Sequence, residues 1–307
     1  MASTQVNTYF AKGNREDLSS QVADLFADEV PFFAMARKEQ ATATKHEWQD
    51  DVLASASTTA IVEGASLTYA QPATRTRHQN YCHIRLRNWD VTFTQMAVTT
   101  AGISDSVARE VMKAMKALLL DYDKIFLNTG NTSAGTTASG RTAKGIQKAI
   151  VTNTAVGTGT GNSATIQLTE DNVNLVLKKI WAAGGDPRAL FCGGHNKMVI
   201  SKKFSAKTGF TWNVEASART AIANVNKYEG SFGTLDIIPD RQHRVKRVTI
   251  VTPDLVRIAI LRDIQQYKGA ATASSVKGWV EAEMTLNWGN EKAHGKISYL
   301  KSGGTIA

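Results

Sequence analysis

Residues that could do chemistry are few and scattered in this chain of 307 residues. Cys192 and His195 stand at C-x-x-H spacing, and Cys82 is followed directly by His83. Thiolate and imidazole are zinc ligands, but a closed structural site takes four of them at tetrahedral positions. The other histidines, His46, His78, His243 and His294, show no paired ligand spacing. Cys192 therefore reads as a small apolar residue at the end of a strand. Gly157-Thr158-Gly159-Thr160-Gly161 has the glycine content of a phosphate cradle. It lacks the Gly-Lys-Ser/Thr ending that a P-loop places at a helix start, and the segment after it is β-like, so a flexible loop is expected. No G-x-S-x-G elbow presents a serine nucleophile. No catalytic residue, metal or cofactor is assigned, and an enzyme is not expected.

Charge offers a different chemistry. Lys and Arg number 36 against 27 Asp and Glu, a formal excess of +9. Such an excess favours contact with polyanions only where it is clustered. Two modest clusters exist: Arg75, Arg77, Arg85 and Arg87 form one, and Arg241, Arg244, Lys246 and Arg247 the other. They either contact neighbouring subunits or sit solvated; neither pattern suggests sequence-specific reading of nucleic acid.

The elements that must carry these residues follow from bulk composition and period. With 42% hydrophobic residues the chain can fill one large domain or two connected ones. No stretch approaches the roughly 20 apolar residues of a membrane span, and the polar N-terminus has no apolar h-region, so neither a membrane nor secretion is expected. Two cysteines far apart in sequence exclude a disulfide framework and fit synthesis in a reducing cytoplasm. The opening dozen residues read as an arm. A short amphipathic helix follows, with Asn14 as N-cap, Glu16 and Asp17 in its first turn and Pro31 at its end. Residues 44–49 read as a strand.

Residues 51–80 are then rich in Ala, Ser and Thr and poor in large apolar side chains. Such a stretch cannot offset an ordering entropy of roughly 1–2 kcal/mol per residue by itself. It is expected to be a long two-stranded excursion that leans on something else. A strand from Tyr81 to near Thr100 precedes the strongest helix, 103–128. Its apolar face steps through Ile103, Val107, Val111, Met115, Leu118, Tyr122 and Phe126, with Ser104 or Asp105 as cap. Residues 169–262 form an α/β unit: a helix over 170–183 stopped by Gly184-Gly185, strands at 188–192, 234–239, 248–251 and 255–261, and a helix over 195–203. The last segment reads as a long strand that turns near Gly289-Asn290 and returns.

Several of these stretches resemble one known family. NREDL at 14–18, PFF at 31–33, TKHEWQDD at 44–51, AAGGDPRALFCGGHNKMVIS at 182–201, FGTLDIIPDR at 232–241 and NEKAHGKI at 290–297 are similar, in order, to segments of tailed-bacteriophage major capsid proteins. The resemblance implies an α+β fold of the Hong Kong 97 type. By that analogy residues 1–43 form the N-terminal arm and 44–88 an extended E-loop. Residues 89–164 and 263–307 form a P-domain with its spine helix at 103–128, and residues 165–262 form the A-domain. It further implies self-assembly into hexamers and pentamers of an icosahedral shell around double-stranded DNA, synthesis in a host bacterial cytoplasm, and contact with a portal protein. Scaffolding and decoration proteins are further partners of such shells. On this reading Trp48, Leu67 and Tyr69 anchor the E-loop on an adjacent subunit. Arg75, Arg77, Arg85 and Arg87 pair across subunits with Asp24, Asp28 and Glu29. An encapsulin-type cellular compartment shares the fold and is the alternative; a basic nucleic-acid-binding protein is a more distant one.

Overall fold

A computed structural model describes residues 29–51, 53, 56–66, 74–100, 103–157, 166–207, 226–270 and 273–301. The arm and helix expected before Pro31 lie outside the described residues. Pro31 opens a helix, α1 (Pro31–Met35), at the first turn, where a proline's missing N–H would have had no partner in any case. This turn buries Phe32 edge-on against Phe191, at 5.4 Å between ring centres, and stacks Phe33 on Phe126.

Two sheets share the core. The first has the order β1-β10-β11-β4 and is built from β1 (Arg37–Gln40), β4 (His83–Thr92), β10 (Arg257–Lys268) and β11 (Ser275–Asn287). β4 ends at Thr92, short of the expected Thr100, because the Thr92 hydroxyl caps a five-residue helix, α2 (Phe93–Ala97). Along β4 the side chains alternate, so His83, Arg85, Arg87, Trp89 and Val91 share one face, with Trp89 and Val91 buried. The long helix α3 (Ser106–Asn128) packs on this sheet through Val111, Ala114, Leu118, Tyr122 and Phe126. It starts three residues later than its apolar period suggests. The Asp105 carboxylate accepts from the amides of Val107 and Ala108 and fixes the start, while Ile103 is drawn into a bridge with Thr100. The Tyr122 hydroxyl donates to the carbonyls of His83 and Ala282, pinning the helix to both β4 and β11.

The second sheet has the order β5-β12-β9-β6-β8-β7. Its strands are β5 (Thr154–Val156), β6 (Ala189–Cys192), β7 (Lys227–Gly230), β8 (Gly233–Pro239), β9 (Arg247–Val251) and β12 (Gly295–Ser298). Helix α4 (Ile146–Ala149) precedes β5, and α6 (Gly194–Lys207) follows β6. Helix α5 (Glu170–Ala182) covers the sheet with Val173, Val176, Leu177 and Ile180. It stops where Gly184 takes φ 84° and Gly185 has no room for a Cβ beside the Ile180 side chain. Strand β6 is buried on both faces. Leu190 and Cys192 join the core under α5, while Ala189 and Phe191 join the core under α3.

The C-terminal segment differs from the expected strand-and-return. β12 does not pair with β11. It crosses to the second sheet and lies between β9 and β5. The turn is fixed from inside: buried His294 accepts from the Thr252 amide through Nδ1 and donates to the Trp288 carbonyl through Nε2. Likewise β10 continues as one strand from Arg257 to Lys268, across positions 262–263, with register shifts against β11 on either side of Arg262. Among the described residues no helix is long and apolar enough to cross a membrane.

Candidate inter-subunit surface

β2 (Lys45–Asp50) and β3 (Thr76–Tyr81) form a separate antiparallel ribbon. Strand alternation and the pairing of Trp48 with His78 and His46 with Asn80 place His46, Trp48, Asp50, His78 and Asn80 on one face. That face is stitched to the body. The Trp48 ring meets Trp288 nearly edge-on, at 4.7 Å and 84°, and its indole N–H donates to the Gly289 carbonyl at 2.9 Å. Asn80 donates to the Leu286 and Lys144 carbonyls and accepts from the Lys144 amide. Glu39 faces His46 at 3.0 Å and also accepts from Asn287 and Arg257. The hydrogen bond to His46, helped by those two, holds the Glu39 carboxyl down to about 2 against the opposing effect of burial. His78 pairs with Asp50 at 2.9 Å. The ribbon has a rigid root.

Beyond the root the chain leaves the body. Leu53, Ile61 and Val62 are 95%, 73% and 78% exposed, and the other described residues between 51 and 75 are exposed as well. Each apolar side chain left in water forgoes roughly 1.5–3 kcal/mol that full burial would return. The exposed tip is thus short of a packing surface, as the composition of this stretch led us to expect.

The arginines of the first cluster are occupied within their own chain. Arg75 reaches Asp51 at 3.3 Å and Arg77 reaches Glu47 at 3.1 Å, both across the ribbon and open to solvent. Arg85 and Arg87 converge on Asp121 of α3. Arg87 grips it with two N–H groups at 2.7 and 2.6 Å, and Arg85 adds a third at 2.7 Å. This contact lies within the chain, and the pairing across subunits with Asp24, Asp28 and Glu29 remains an expectation. β-strand alternation aims both guanidiniums at the helix, and Asp121 is the acid that meets them there. Trp48 packs on Trp288 and Gly289 of its own chain and anchors the ribbon's root. Glu29 is exposed; Asp24, Asp28, Leu67 and Tyr69 lie outside the described residues. The sequence reading missed Asp121, Glu39 and Trp288. Only Trp288, a large aromatic ring beside a glycine turn, carried a visible signal.

Neither cysteine is poised to react. Burial pushes the Cys82 thiol up to about 11 and the Cys192 thiol up to about 12, and both are free. The arrangement of the site is architectural: a welded root, an outlying ribbon with exposed apolar residues, and a long helix tied to two strands. The family model described as the SU10 major capsid protein matches residues 3–301. The chain belongs to this family. It is a major capsid protein of a tailed phage, a structural component of the virion. No curated protein matches the sequence. Among solved structures it is similar to the cyanophage A-1(L) capsid, with a TM-score of 0.71 at 12% identity over 94% of this chain and 97% of that one. The cyanophage P-SCSP1u capsid gives 0.64 at 10% identity over 97% of each chain. The SrpI encapsulin of Synechococcus elongatus gives 0.59 at 9% identity over 93% of each. At these identities the likeness is one of fold, the Hong Kong 97-type capsid fold. The family match sets the phage capsid protein ahead of the cellular compartment.

Proposed function

We propose that this capsid protein builds hexamers and pentamers of an icosahedral head around double-stranded DNA, with the β2–β3 ribbon as the E-loop that overlaps an adjacent subunit. The observation that carries the reading is the contrast within one ribbon, a root fixed by Trp48 and Asn80 and a tip that exposes Leu53, Ile61 and Val62. Apolar residues spent so far from any core of their own chain gain burial only from a sister copy. In obligate assemblies such contacts run to about 2,000 Å² or more. Residues 1–43 act as the arm, which adds β1 to the first sheet. The P-domain consists of α3, β4, β10 and β11, and the A-domain of the second sheet with α5 and α6. The shell role needs no catalytic group, and synthesis occurs in the host cytoplasm. A portal at one vertex, and scaffolding or decoration proteins, complete the partners that a head of this kind requires.

Expression of the chain alone, followed by size-exclusion chromatography and negative-stain microscopy, tests the reading. Megadalton closed particles or capsomer rings support it. A stable monomer at high concentration, unchanged by salt and crowding, counts against it.

A further inference from the structure

Most described arginines outside one region are matched to acids, among them Arg87 to Asp121, Arg141 and Arg262 to Glu283, and Arg257 to Glu39. Around Gln147 of α4 the pattern reverses. Lys296 of β12 donates to the Gln147 carbonyl at 2.7 Å, and Arg247 of β9 donates to the Gln147 side-chain oxygen at 3.1 Å. Lys148 follows Gln147 on the same short helix, and Lys144 precedes it with its ammonium over the Trp288 ring. Arg244 extends the group toward the end of α3, where it donates to the Asn128 carbonyl at 2.9 Å.

Among the described residues none of these five cations makes a salt bridge. The carboxylate that faces them, Glu291, is spent on the amides of Val151 and Thr152 and on the Thr152 hydroxyl. The crowding is felt. Burial, and then the charges of Arg247, Lys148 and Lys144, hold Lys296 down to about 8, and Lys144 and Arg247 are shifted down from the same two causes. A region that collects five cations from α4, β9, β12 and the turns beside them, against the single carboxylate of Glu291, is short of negative charge. Phosphates spaced along a backbone would supply it.

We propose that Lys144, Lys148, Arg244, Arg247 and Lys296 form the surface by which the subunit contacts the phosphate backbone of enclosed duplex DNA, which makes this the lumenal face of the shell. The assignment rests on the reading of the chain as a DNA-enclosing shell subunit. Contacts of this kind are sequence-independent and salt-labile, each phosphate contributing roughly 0.9 to the slope of log K against log salt.

The test compares full-length wild-type with Lys148→Gln/Lys296→Gln, and with Lys178→Gln/Lys268→Gln as a control that removes equal charge from exposed positions elsewhere. Fluorescence anisotropy with a labelled 30-base-pair duplex of random sequence is read over a salt series. The expected result is a slope lower by about 2 for the first pair and unchanged for the control. Should the half-buried Lys296 change impair folding, Lys148→Gln/Arg244→Gln, at two exposed positions, replaces it. Equal slopes in all proteins, or an equal loss in the control, would overturn the assignment. So would a synthetic peptide of residues 14–30, which carries five acidic residues, binding wild-type but not the first pair while duplex binding stays the same; the patch would then be a contact between copies. Particle formation is scored separately by microscopy of the same preparations. Absence of wild-type shells counts against the shell reading, and the slopes alone decide the patch.

Discussion

Asp123 of the spine helix and Asp240 of the turn after β8 face each other in the interior, each with one carboxylate oxygen that reaches no donor. The remaining oxygens are used: Asp123 accepts from the Phe33 amide at 2.8 Å and Asp240 from the Gln242 amide at 2.7 Å. Burial together with a neighbouring like charge disfavours the ionised form, so the Asp123 carboxyl keeps its proton well above the usual carboxylate range. The pair joins α1, α3 and the second sheet at one point.

This pair sets the alkaline limit of subunit stability. Burial and then the neighbouring Asp240 push the Asp123 carboxyl up to about 8. A carboxyl raised above its unfolded value stabilises most below that value, near 4, and the contribution is lost as pH rises to 8. His243 and His294 act oppositely. Burial holds both down to about 4, so their contribution is present above 6.5 and lost as pH falls toward 4. Together the three groups place maximum stability near pH 6.5. Thermal unfolding across pH 5–9 checks this. Asp123→Asn, whose amide can donate to Asp240 while its oxygen still accepts from Phe33, should flatten the fall between pH 6.5 and 8. A decline as steep as in wild-type would reject the raised Asp123 carboxyl.

Trp48→Ala removes an edge-on aromatic contact and leaves the Gly289 carbonyl without its donor. The expected cost is about 2 kcal/mol, combining roughly 1 kcal/mol for each. Hydrogen exchange in the β2–β3 ribbon should accelerate while exchange in α3 does not. Uniform acceleration throughout the subunit would show that the root is not a local anchor.

Tyr122→Phe keeps the ring in the core but deletes the hydroxyl shared by the His83 and Ala282 carbonyls. A loss of about 1–2 kcal/mol in denaturant unfolding is expected. A change within error would mean that the apolar packing of α3 alone holds it on the sheet.

The tip should behave oppositely to the root. Changing Leu53, Ile61 and Val62 together to Ser touches no core of the same chain. The melting of the isolated subunit should stay within about 0.5 kcal/mol of wild-type. Particle yield should collapse.

Periodic features of the fold were readable from residue types. The 3.6-residue stripe from Val111 to Phe126 and the glycine stop at 184–185 needed no tertiary information, and the poverty of large apolar residues at 51–66 anticipated the exposure of the described residues there. Features decided at a distance were not. That Pro31 starts a helix of its own depends on the pocket formed by Phe126 and Phe191, into which that helix sets Phe32 and Phe33. The short GKIS stretch at 295–298 can pair with any neighbour, and His294 buried in the turn delivers it to β9. Asp121 and Asp123 sit two apart on one helix and look alike in sequence. One receives two arginines at the edge of the sheet, and the other is sealed against Asp240. The arginine cluster at 75–87 was visible as charge, but its partners depend on which face of β4 meets α3.

The claim that outlying apolar residues are completed by a sister copy is tested most directly by a cryo-electron microscopy map of assembled particles, traced through residues 51–75. The chain should leave its own subunit at Asp51 and bring Leu53, Ile61 and Val62 against the adjacent copy. Density folding that segment onto its own α3 or either of its own sheets would contradict the account.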